Sequence, residues 1–517
     1  MHLCAYKNKQ IIQLLKLKNT NYILWAIIGW ALLLLRHGYV FGMGDHAEIL
    51  PYMEYLNDSS KYSNDFYVAN IAAIVPNVRW FFCWIFSPFT THLAPWFFVF
   101  HAVYTLFLLI GTMKVCEKLL IPVPITFLGM MGYLLLFYGH IPGGNEWYLN
   151  NFQAENVAFV LGIWSLFWTL ENKQWTSIAA LALATFFHPL AGIQFALLIG
   201  ASLLFNQKLN WKAWLFYGFT GGVCFVWILI NHQSNFAVQP GSPSFFDVLF
   251  VFRQPHHSLP TTYSLLGTLL SLVLLIGGLI ITFKKQKLLF YIFGLIGLGC
   301  IIYTIGVLQF KSVLIAQTQW FKTVSLVTVL GSALVLNYLL SFLPKLIQLL
   351  VKAEKVLIIP ALISAILIGL ILTIPAANLL DKPMYFGKAS TQNPLVEISK
   401  QIAQEIPATA VFIQPFDADA FHYHSHHASY VSFKAVVHHQ SFMYEWYKRM
   451  QQVYGLSIDQ KGGFALATQA NAHYEKQLKE GTLELDVNYA LVKKGAYFYP
   501  TVLSNDRYQV LLINPLK

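Results

Sequence analysis

The feature that most constrains this chain is a series of long apolar runs that contain almost no charged residue. A helix of about 20 apolar residues is long enough to cross the hydrocarbon core of a bilayer. Of the 517 residues, 56% are apolar and 11% are charged, whereas a soluble globular chain carries about 25% charged residues. The sequence therefore predicts an α-helical polytopic membrane protein and excludes a soluble enzyme or a disordered chain. The runs lie near 22–41, 94–114, 121–139, 154–171, 212–231, 264–283, 287–308, 321–342 and 354–376.

The apolar run 175–205 differs from the others because His188-Pro189 interrupts it. A backbone break at membrane depth persists only where it is buried in protein or faces a water-filled cavity. Both ends of the run join basic connectors that we assign to the same side of the membrane. Two short antiparallel helices therefore fit this run better than one span, and they bring the prediction to about 11 spans.

The charged residues indicate how the spans are oriented. Lys and Arg number 34 against 23 Asp and Glu, a net charge of +11. Much of this charge lies in short connectors, which is typical of cytoplasmic loops and argues against a nucleic-acid partner. Five cysteines without a CxxC pair predict neither a disulfide framework nor a metal site. We expect a bacterial inner (plasma) membrane protein with residues 1–21 in the cytoplasm, a transmembrane domain over 22–377, and outer loops at 42–92, 140–153 and 232–263.

The composition changes after the last apolar run. Residues 378–517 contain charges and histidines but no run long enough to cross a membrane, which predicts a soluble α/β domain on the outer face. If His422, His424 and His426 alternate on a strand, three imidazoles share one face and could bind Zn²⁺ or Ni²⁺; the alternative is a polar surface strand. The predicted strands are Ala408–Gln414, Ser429–Phe433, Tyr489–Lys493 and Tyr508–Asn514, and the predicted helices are Ser441–Tyr454 and Ala467–Lys479.

The first outer loop places two acidic residues close to the end of the first span. Asp45 and Glu48 stand three residues apart, and in a helix this spacing puts both side chains on one face. A carboxylate there can act as a general base or bind a divalent cation such as Mg²⁺ or Mn²⁺. The alternative is that Asp45 caps the helix, because Asp is common at that position.

The third outer loop carries Arg253 followed by the pair His256 and His257. An arginine beside paired histidines suits a phosphate-bearing ligand, and snorkelling to the membrane border would explain the arginine alone. His188 is a further candidate, because a polar ring at membrane depth is a functional hypothesis by default; its alternative role is to satisfy freed backbone groups. Lys322 is a weaker candidate, since a lone lysine at a membrane border is usually an anchor.

Three more acidic residues lie in or beside the outer loops. Glu146 belongs to the second outer loop, and Glu155 opens the span that follows it. An acid at a helix N-terminus is favoured by the helix dipole alone, so the position of Glu155 also has a structural explanation. Asp65 lies in the first outer loop, within the stretch Asn64-Asp65-Phe66.

Together these features resemble the GT-C class of membrane glycosyltransferases. Members of that class have many spans, an acidic residue soon after the first span, and a soluble C-terminal domain on the outer face. Here Asp45 matches that acid, with Glu48 close by. Within the class, the chain is most similar to a family of uncharacterised bacterial multi-span membrane proteins. The shared stretches are 45–51, 64–66, 188–189 and 253–257, together with Phe433, Lys434, Glu445, Trp446, Tyr447 and Arg449.

The resemblance implies transfer of a sugar from a polyprenyl-phosphate donor to a glycan, lipid or protein acceptor at the outer face of the membrane. Many members of the wider class carry two adjacent acids where this chain has Asp45-His46, so the use of a divalent cation stays open. The implied roles are catalysis for Asp45 and Glu48, donor-phosphate binding for His188, Arg253, His256, His257 and Lys322, and an acceptor site or groove for Asp65, Glu146 and Glu155.

Two other kinds of function share these sequence features. A lipid or solute transporter, or flippase, would share the interrupted run, because broken helices often mark substrate sites in transporters. A non-enzymatic membrane assembly protein would use its C-terminal domain to bind a partner. The sequence contains neither GxGxxG after a strand nor GxxxxGK[ST], which disfavours a nucleotide-sugar donor.

Overall fold

The computed structural model describes residues 21–62, 64–144, 146–231, 241–353, 393–458 and 462–515. These residues are mostly helical, with a small sheet near the C-terminus. The predicted cytoplasmic N-terminus, the beginning of the third outer loop and the predicted span 354–376 lie outside the described residues.

Five described helical segments are long and apolar enough to cross a membrane, judged by length and composition. Five more apolar helices are shorter than a typical span. These helices identify the chain as a membrane protein, while the count of 11 spans stays a prediction. The longer segments are Trp80–Lys118, Trp211–Asn231, Leu265–Thr282, Lys287–Leu308 and Val313–Leu340, and the shorter helices are Tyr22–His37, Val123–Leu136, Ala154–Leu170, Gln174–Phe187 and Pro189–Phe205.

The interrupted run forms two helices that meet at His188, as its sequence predicts. Pro189 opens the second helix, where a residue without an N–H costs nothing. The Nδ1 atom of His188 accepts a hydrogen bond of 3.1 Å from the Ala191 N–H, so the ring satisfies a backbone group freed by the break. Gly192 allows the close approach of the two helices, because a Cβ atom there would lie 2.4 Å from the Thr185 Cα atom.

The segment 42–92, predicted as a long polar loop, is largely helical. It contains the helices His46–Asn57, Phe66–Ala73 and Trp80–Phe86. The first of these buries its apolar residues, among them Leu50 and Met53, in the main core. The segment therefore packs onto the membrane helices. The sequence does not indicate this packing, because the apolar stretches of the segment are short.

The C-terminal region contains a five-stranded mixed sheet. Its strands are β1 (Val411–Ile413), β2 (Ala428–Ser429), β3 (Tyr489–Lys493), β4 (Thr501–Ser504) and β5 (Tyr508–Leu512), in the order β2-β1-β3-β5-β4. Strand β1 runs parallel to β2 and β3, whereas β5 runs antiparallel to β3 and β4. The helices of this region are Pro394–Glu405, Asp419–Ser425, Gln440–Tyr454 and Ala467–Glu480.

The C-terminal region is packed on two cores. A small core lies between the helix Pro394–Glu405 and the sheet, with Ile402, Phe412 and Val510 among its members. Other residues, such as Phe433 and Trp446, belong to the same continuous core as the membrane helices. The C-terminal region is thus joined to the helical part by buried apolar contacts, and this joint positions the polar residues described next.

Candidate functional site

Asp45 ends the turn that leads into the helix His46–Asn57. Its side chain makes no capping hydrogen bond; instead, Oδ1 lies 2.5 Å from Nζ of Lys434 in the C-terminal region. The preceding residue, Gly44, has a positive φ of 62°, and its N–H donates a hydrogen bond of 2.6 Å to Oδ2 of Asp419. The capping role considered for Asp45 is therefore not what its carboxylate does.

Glu48 lies in the first turn of the same helix and is buried. It forms an ion pair with Arg79, which immediately precedes the helix Trp80–Phe86. Its Oε1 atom also lies 3.6 Å from Nη2 of Arg253. Glu48 thus holds two guanidinium groups in place, and these bring the first and third predicted loops together.

Arg253 connects the third predicted loop to the C-terminal region. Its Nη2 atom donates a hydrogen bond of 2.8 Å to the backbone oxygen of Lys434. Its guanidinium carbon lies 4.8 Å from the centre of the Phe433 ring, a cation–π arrangement. The Nε atom is buried and has no hydrogen-bond partner among the described residues, so this arginine retains a donor that a ligand could use.

Asp45, Glu48, Arg79, Arg253 and Lys434 together form what we call the charged cluster. Its three basic and two acidic side chains leave one net positive charge. Partial burial raises the pKa of Asp45, but the positive charges of Lys434 and Arg79 together outweigh that effect, and the pKa lies well below its usual range. The carboxylate of Asp45 is therefore ionised at neutral pH.

The two histidines of the third predicted loop lie on the short turn Pro255–Ser258 beside the charged cluster. Burial, together with Arg253 and Lys434, lowers the pKa of His256 to about 4, so this ring is neutral at pH 7. Burial also lowers the pKa of His257. The Nδ1 atom of His257 lies 2.7 Å from the Gly143 carbonyl, which can only accept a hydrogen bond, so Nδ1 carries the proton and Nε2 of the neutral ring is an acceptor.

A further ion pair lies next to the helix break at His188. Lys322 and Glu155 are 3.2 Å apart, and both side chains are largely buried. Glu155 lies in the first turn of the helix Ala154–Leu170. Its carboxylate therefore interacts favourably with the N-terminal end of that helix as well as with Lys322. His188 is within electrostatic range of this pair and of Arg79, which puts it at the edge of the charged cluster.

Two predicted site residues have other surroundings. Asp65 is fully buried: Oδ1 accepts a hydrogen bond from the Val68 N–H, and Oδ2 pairs with His422 at 2.7 Å and accepts from the Ser429 N–H at 2.8 Å. These contacts attach the C-terminal region to the helices. Glu146 accepts a hydrogen bond of 2.6 Å from the Gly139 N–H within its own loop, and burial raises its pKa to about 7.

The expected alternation of histidines on a strand is wrong. His422 and His424 lie on the helix Asp419–Ser425, and His426 follows it with a positive φ of 53°. Their rings diverge, since His422 contacts Asp65 whereas Nδ1 of His426 lies 2.8 Å from Oε2 of Glu54. This short stretch forms a helix because its buried residues include the neighbours Ala420 and Phe421, which a two-residue strand period would separate.

The described residues do not fit a metal ion. No group of three or more His, Cys, Asp or Glu side chains in the described part of the chain could hold one. A divalent cation needs several free oxygen ligands, but the oxygens of Asp45 and Glu48 already face ammonium and guanidinium groups. The four cysteines that the structure describes are free.

Residues 394–453 match DUF6798, a domain of unknown function. No curated protein matches the chain. The matched segment includes Phe433 and Lys434, which contact the charged cluster, and His422 and Ser429, which contact Asp65. The matched segment therefore includes residues of the C-terminal region that contact the site.

Three residues of the site were not predicted as such from the sequence. Arg79 could have been noticed because Lys61 is the only other Lys or Arg in the segment 42–92. Lys434 entered only through the shared tail motif, and Asp419 gave no local signal. Their partners lie far away in the chain, and a pattern of nearby residues does not reveal such contacts.

Proposed function

We propose that the protein is a GT-C-like glycosyltransferase that moves a sugar from a polyprenyl-phosphate donor to an acceptor at the outer face of a bacterial inner membrane. The observation that carries this proposal is the ionised carboxylate of Asp45 beside Lys434, Arg79 and Arg253 in a protein built from apolar helices. A carboxylate base activates an acceptor hydroxyl, and fixed cations stabilise a leaving phosphate. Both groups are needed for transfer from a lipid phosphate.

In the proposed reaction, the acceptor hydroxyl attacks the anomeric carbon of the donor sugar while Asp45 takes the hydroxyl proton. The bond between that carbon and the phosphate oxygen breaks, and the polyprenyl phosphate leaves with the bonding electrons. Arg253 meets the growing negative charge on the phosphate, and neutral His256 donates a hydrogen bond to it. No metal ion is needed for this step, because basic side chains supply the positive charge.

The other predicted residues take supporting roles in this proposal. Glu48 fixes the directions of Arg79 and Arg253 and is a positioning residue rather than a second base. His257 does not donate to the phosphate, because the only ring N–H of the neutral imidazole is directed at the Gly143 carbonyl. His188, Lys322 and Glu155 lie at the edge of the charged cluster and border the bound donor in this proposal. The acceptor is a glycan, a lipid or a protein.

The topology belongs to the same proposal. Residues 1–21 lie in the cytoplasm, the chain crosses the membrane 11 times, and the C-terminal region lies outside, where it covers the charged cluster. Support comes from the basic connectors and from the contacts that bind the C-terminal region to the first and third predicted loops. Thiol labelling of single cysteines placed in the connectors of intact cells tests this arrangement.

The proposed function is tested with the purified full chain in lipid nanodiscs. We supply a panel of polyprenyl-phosphate sugars with membrane extract as the source of acceptor, and we follow labelled sugar into product. The Asp45→Asn variant keeps its shape and should lose transfer by roughly 10²–10⁴-fold. The control Asp506→Asn removes an exposed acid of the C-terminal region and should transfer normally. Transfer by Asp45→Asn near the wild-type rate would remove Asp45 from the reaction.

A transporter is the second candidate, because the helix break at His188 lies beside the buried Glu155–Lys322 pair. Broken helices with polar groups often form the substrate sites of transporters. Uptake of labelled polyprenyl-phosphate sugar into proteoliposomes, without sugar transfer, would favour this function. A membrane assembly protein is the third candidate, and it predicts that cells tolerate replacement of Asp45 and Arg253 by alanine.

A further inference from the structure

Lys434 occupies a position between the base and the phosphate-binding residues of the proposed reaction. Its Nζ atom contacts Asp45, and its backbone oxygen accepts the hydrogen bond from Arg253. The adjacent Phe433 ring packs against the Arg253 guanidinium. Any group bound by Arg253 is therefore bound next to the backbone of Lys434.

The three ion pairs of the charged cluster differ in their exposure. Glu48 is buried between two arginines, whereas the side chain of Asp45 is 42% exposed and that of Lys434 is 18% exposed. Water screens an ion pair with this much exposure more strongly than it screens a buried pair. A ligand can accordingly open the Asp45–Lys434 pair at a lower cost than the pairs formed by Glu48.

The hydrogen-bond donors of the cluster indicate the kind of ligand. Two arginines share Glu48, and Lys434 pairs with Asp45; the neighbouring carboxylate of Asp419 accepts a hydrogen bond from the Gly44 N–H. A lysine ammonium has three hydrogen-bond donors, so Lys434 can contact an incoming anion before it leaves Asp45. A phosphate monoester or diester fits the available donors.

We infer that Lys434 is a ligand-binding residue that exchanges Asp45 for the donor phosphate, and that this exchange releases Asp45 to act as the base. The inference rests on the proposed function, whose donor and base it uses. No covalent bond changes in the exchange, since one ammonium group moves from a carboxylate oxygen to a phosphate oxygen. The proton later taken by Asp45 comes from the acceptor hydroxyl.

The exchange has a chemical consequence for Asp45. Partial burial raises the pKa of Asp45, but while Lys434 is in contact its ammonium helps to hold that pKa well below the usual range, and such a carboxylate is a weak base. When the ammonium turns to the phosphate, the pKa of Asp45 rises and its basicity increases. Donor binding and base activation are thus coupled through one side chain. The other charged or titratable groups near Asp45 are Arg79, Arg253, Asp419, His46, His256 and His257.

The test begins with binding, which needs no reaction. The full chain in phosphatidylcholine nanodiscs is titrated with polyprenyl phosphate, and with the neutral polyprenol as a comparison probe. We expect Lys434→Gln to weaken polyprenyl phosphate binding by about tenfold or more and to leave polyprenol binding unchanged. Lys434→Arg should restore most of the affinity. The control Lys476→Gln removes a largely exposed lysine paired with Glu480 and should bind like the wild type.

The second readout is the pH dependence of transfer. In Lys434→Gln, the acidic limb of the kcat/KM profile, which reports the free enzyme, should move to higher pH, because Asp45 lacks the ammonium that lowers its pKa before the donor binds. Equal affinity for polyprenyl phosphate together with an unmoved acidic limb would overturn the inference. A wild-type protein that binds polyprenyl phosphate through Lys434 but transfers no sugar from any donor would instead refute the proposed function.

Chemical labelling keeps the test independent of any variant. Amine acylation of the wild-type chain, read by mass spectrometry, reports how accessible each lysine is. Polyprenyl phosphate should protect Lys434 several-fold and should leave Lys476 unchanged. Equal labelling of Lys434 with and without polyprenyl phosphate, at a concentration shown to bind, would contradict a direct contact.

Discussion

The ammonium of Lys434 lies 2.5 Å from the carboxylate of Asp45, although the two residues come from opposite ends of the chain. The contact joins the turn after the first apolar helix to the segment that matches DUF6798. Asp419 makes a second contact with the same turn, because its carboxylate accepts a hydrogen bond from the N–H of Gly44, the residue before Asp45. The C-terminal region therefore supplies part of the candidate site and does not merely cover it.

Replacement of Glu48 by Gln should destabilise the protein. It leaves Arg79 and Arg253 without the carboxylate that they share, and breaking a buried ion pair costs about 3–5 kcal/mol. Thermal unfolding in detergent should show a clearly lower transition temperature. The matched control Glu445→Gln breaks a half-exposed pair with Arg449 and should have little effect. If both variants unfold at the same temperature, Glu48 does not carry the stabilising role assigned to it.

Replacement of Asp65 by Asn should loosen the attachment of the C-terminal region. The carboxylate contacts His422 and two backbone N–H groups at once, and an amide can reproduce only part of this set. Hydrogen exchange should become faster in the segments around His422 and Ser429 while the membrane helices stay protected. Asp58→Asn, in an exposed turn, serves as the control. Unchanged exchange at Ser429 would show that the attachment does not depend on Asp65.

The stability of the protein should depend on Glu146 between about pH 4.5 and pH 7. Burial raises the pKa of Glu146 from 4.5 to about 7. In this window the unfolded chain loses the proton while the folded chain keeps it, so stability falls as the pH rises. Glu146→Gln has no proton to lose and should remove this part of the pH dependence. Transition temperatures measured across this pH window for both proteins test the sign. The transition temperature of the variant, relative to that of the wild type, should rise toward pH 7.

Divalent cations should not stabilise the protein. The carboxylates of Asp45 and Glu48 are engaged with basic side chains, so Mg²⁺ or Mn²⁺ would have to displace these groups. Thermal unfolding with each cation, and after treatment with EDTA, should give the same transition temperature within error. A concentration-dependent rise with Mn²⁺ that disappears in Asp45→Asn would contradict the reading of the cluster as an anion site.

The elements encoded by local patterns were predictable from the sequence. The predicted helix Ser441–Tyr454 differs from the observed Gln440–Tyr454 by one residue, and the helices on either side of His188 follow from the Pro189 break. The strand Tyr489–Lys493 agrees in full with its prediction. Strand β4 was missed because its four residues are largely exposed and follow Pro500. The predicted strand Ser429–Phe433 retains only Ser429 in β2, since its later residues turn toward the charged cluster.

The composition of the site was predictable only in part. Asp45, Glu48, Arg253 and His256 were each singled out by unusual residue types beside apolar runs, and the structure brings them together. Which of these residues contact each other was not predictable. The partners Arg79 and Lys434, which the sequence did not indicate as site residues, pair with Glu48 and Asp45 respectively. Asp65 was also singled out as a polar residue beside apolar runs. Its carboxylate instead has a structural role, because it attaches the C-terminal region to the helices through His422.

The strand order bears on how the C-terminal region can be divided. Strand β1 lies between β2, its neighbour within the segment 394–453, and β3, which comes from beyond that segment. A fragment cut at the borders of the matched domain would keep two of the five strands and would leave the edge of β1 unpaired, open to association with other chains. The segment recognised by sequence comparison is therefore smaller than the unit that contains the whole sheet, and work on an isolated piece should retain the chain through β5 and the helices on which it packs.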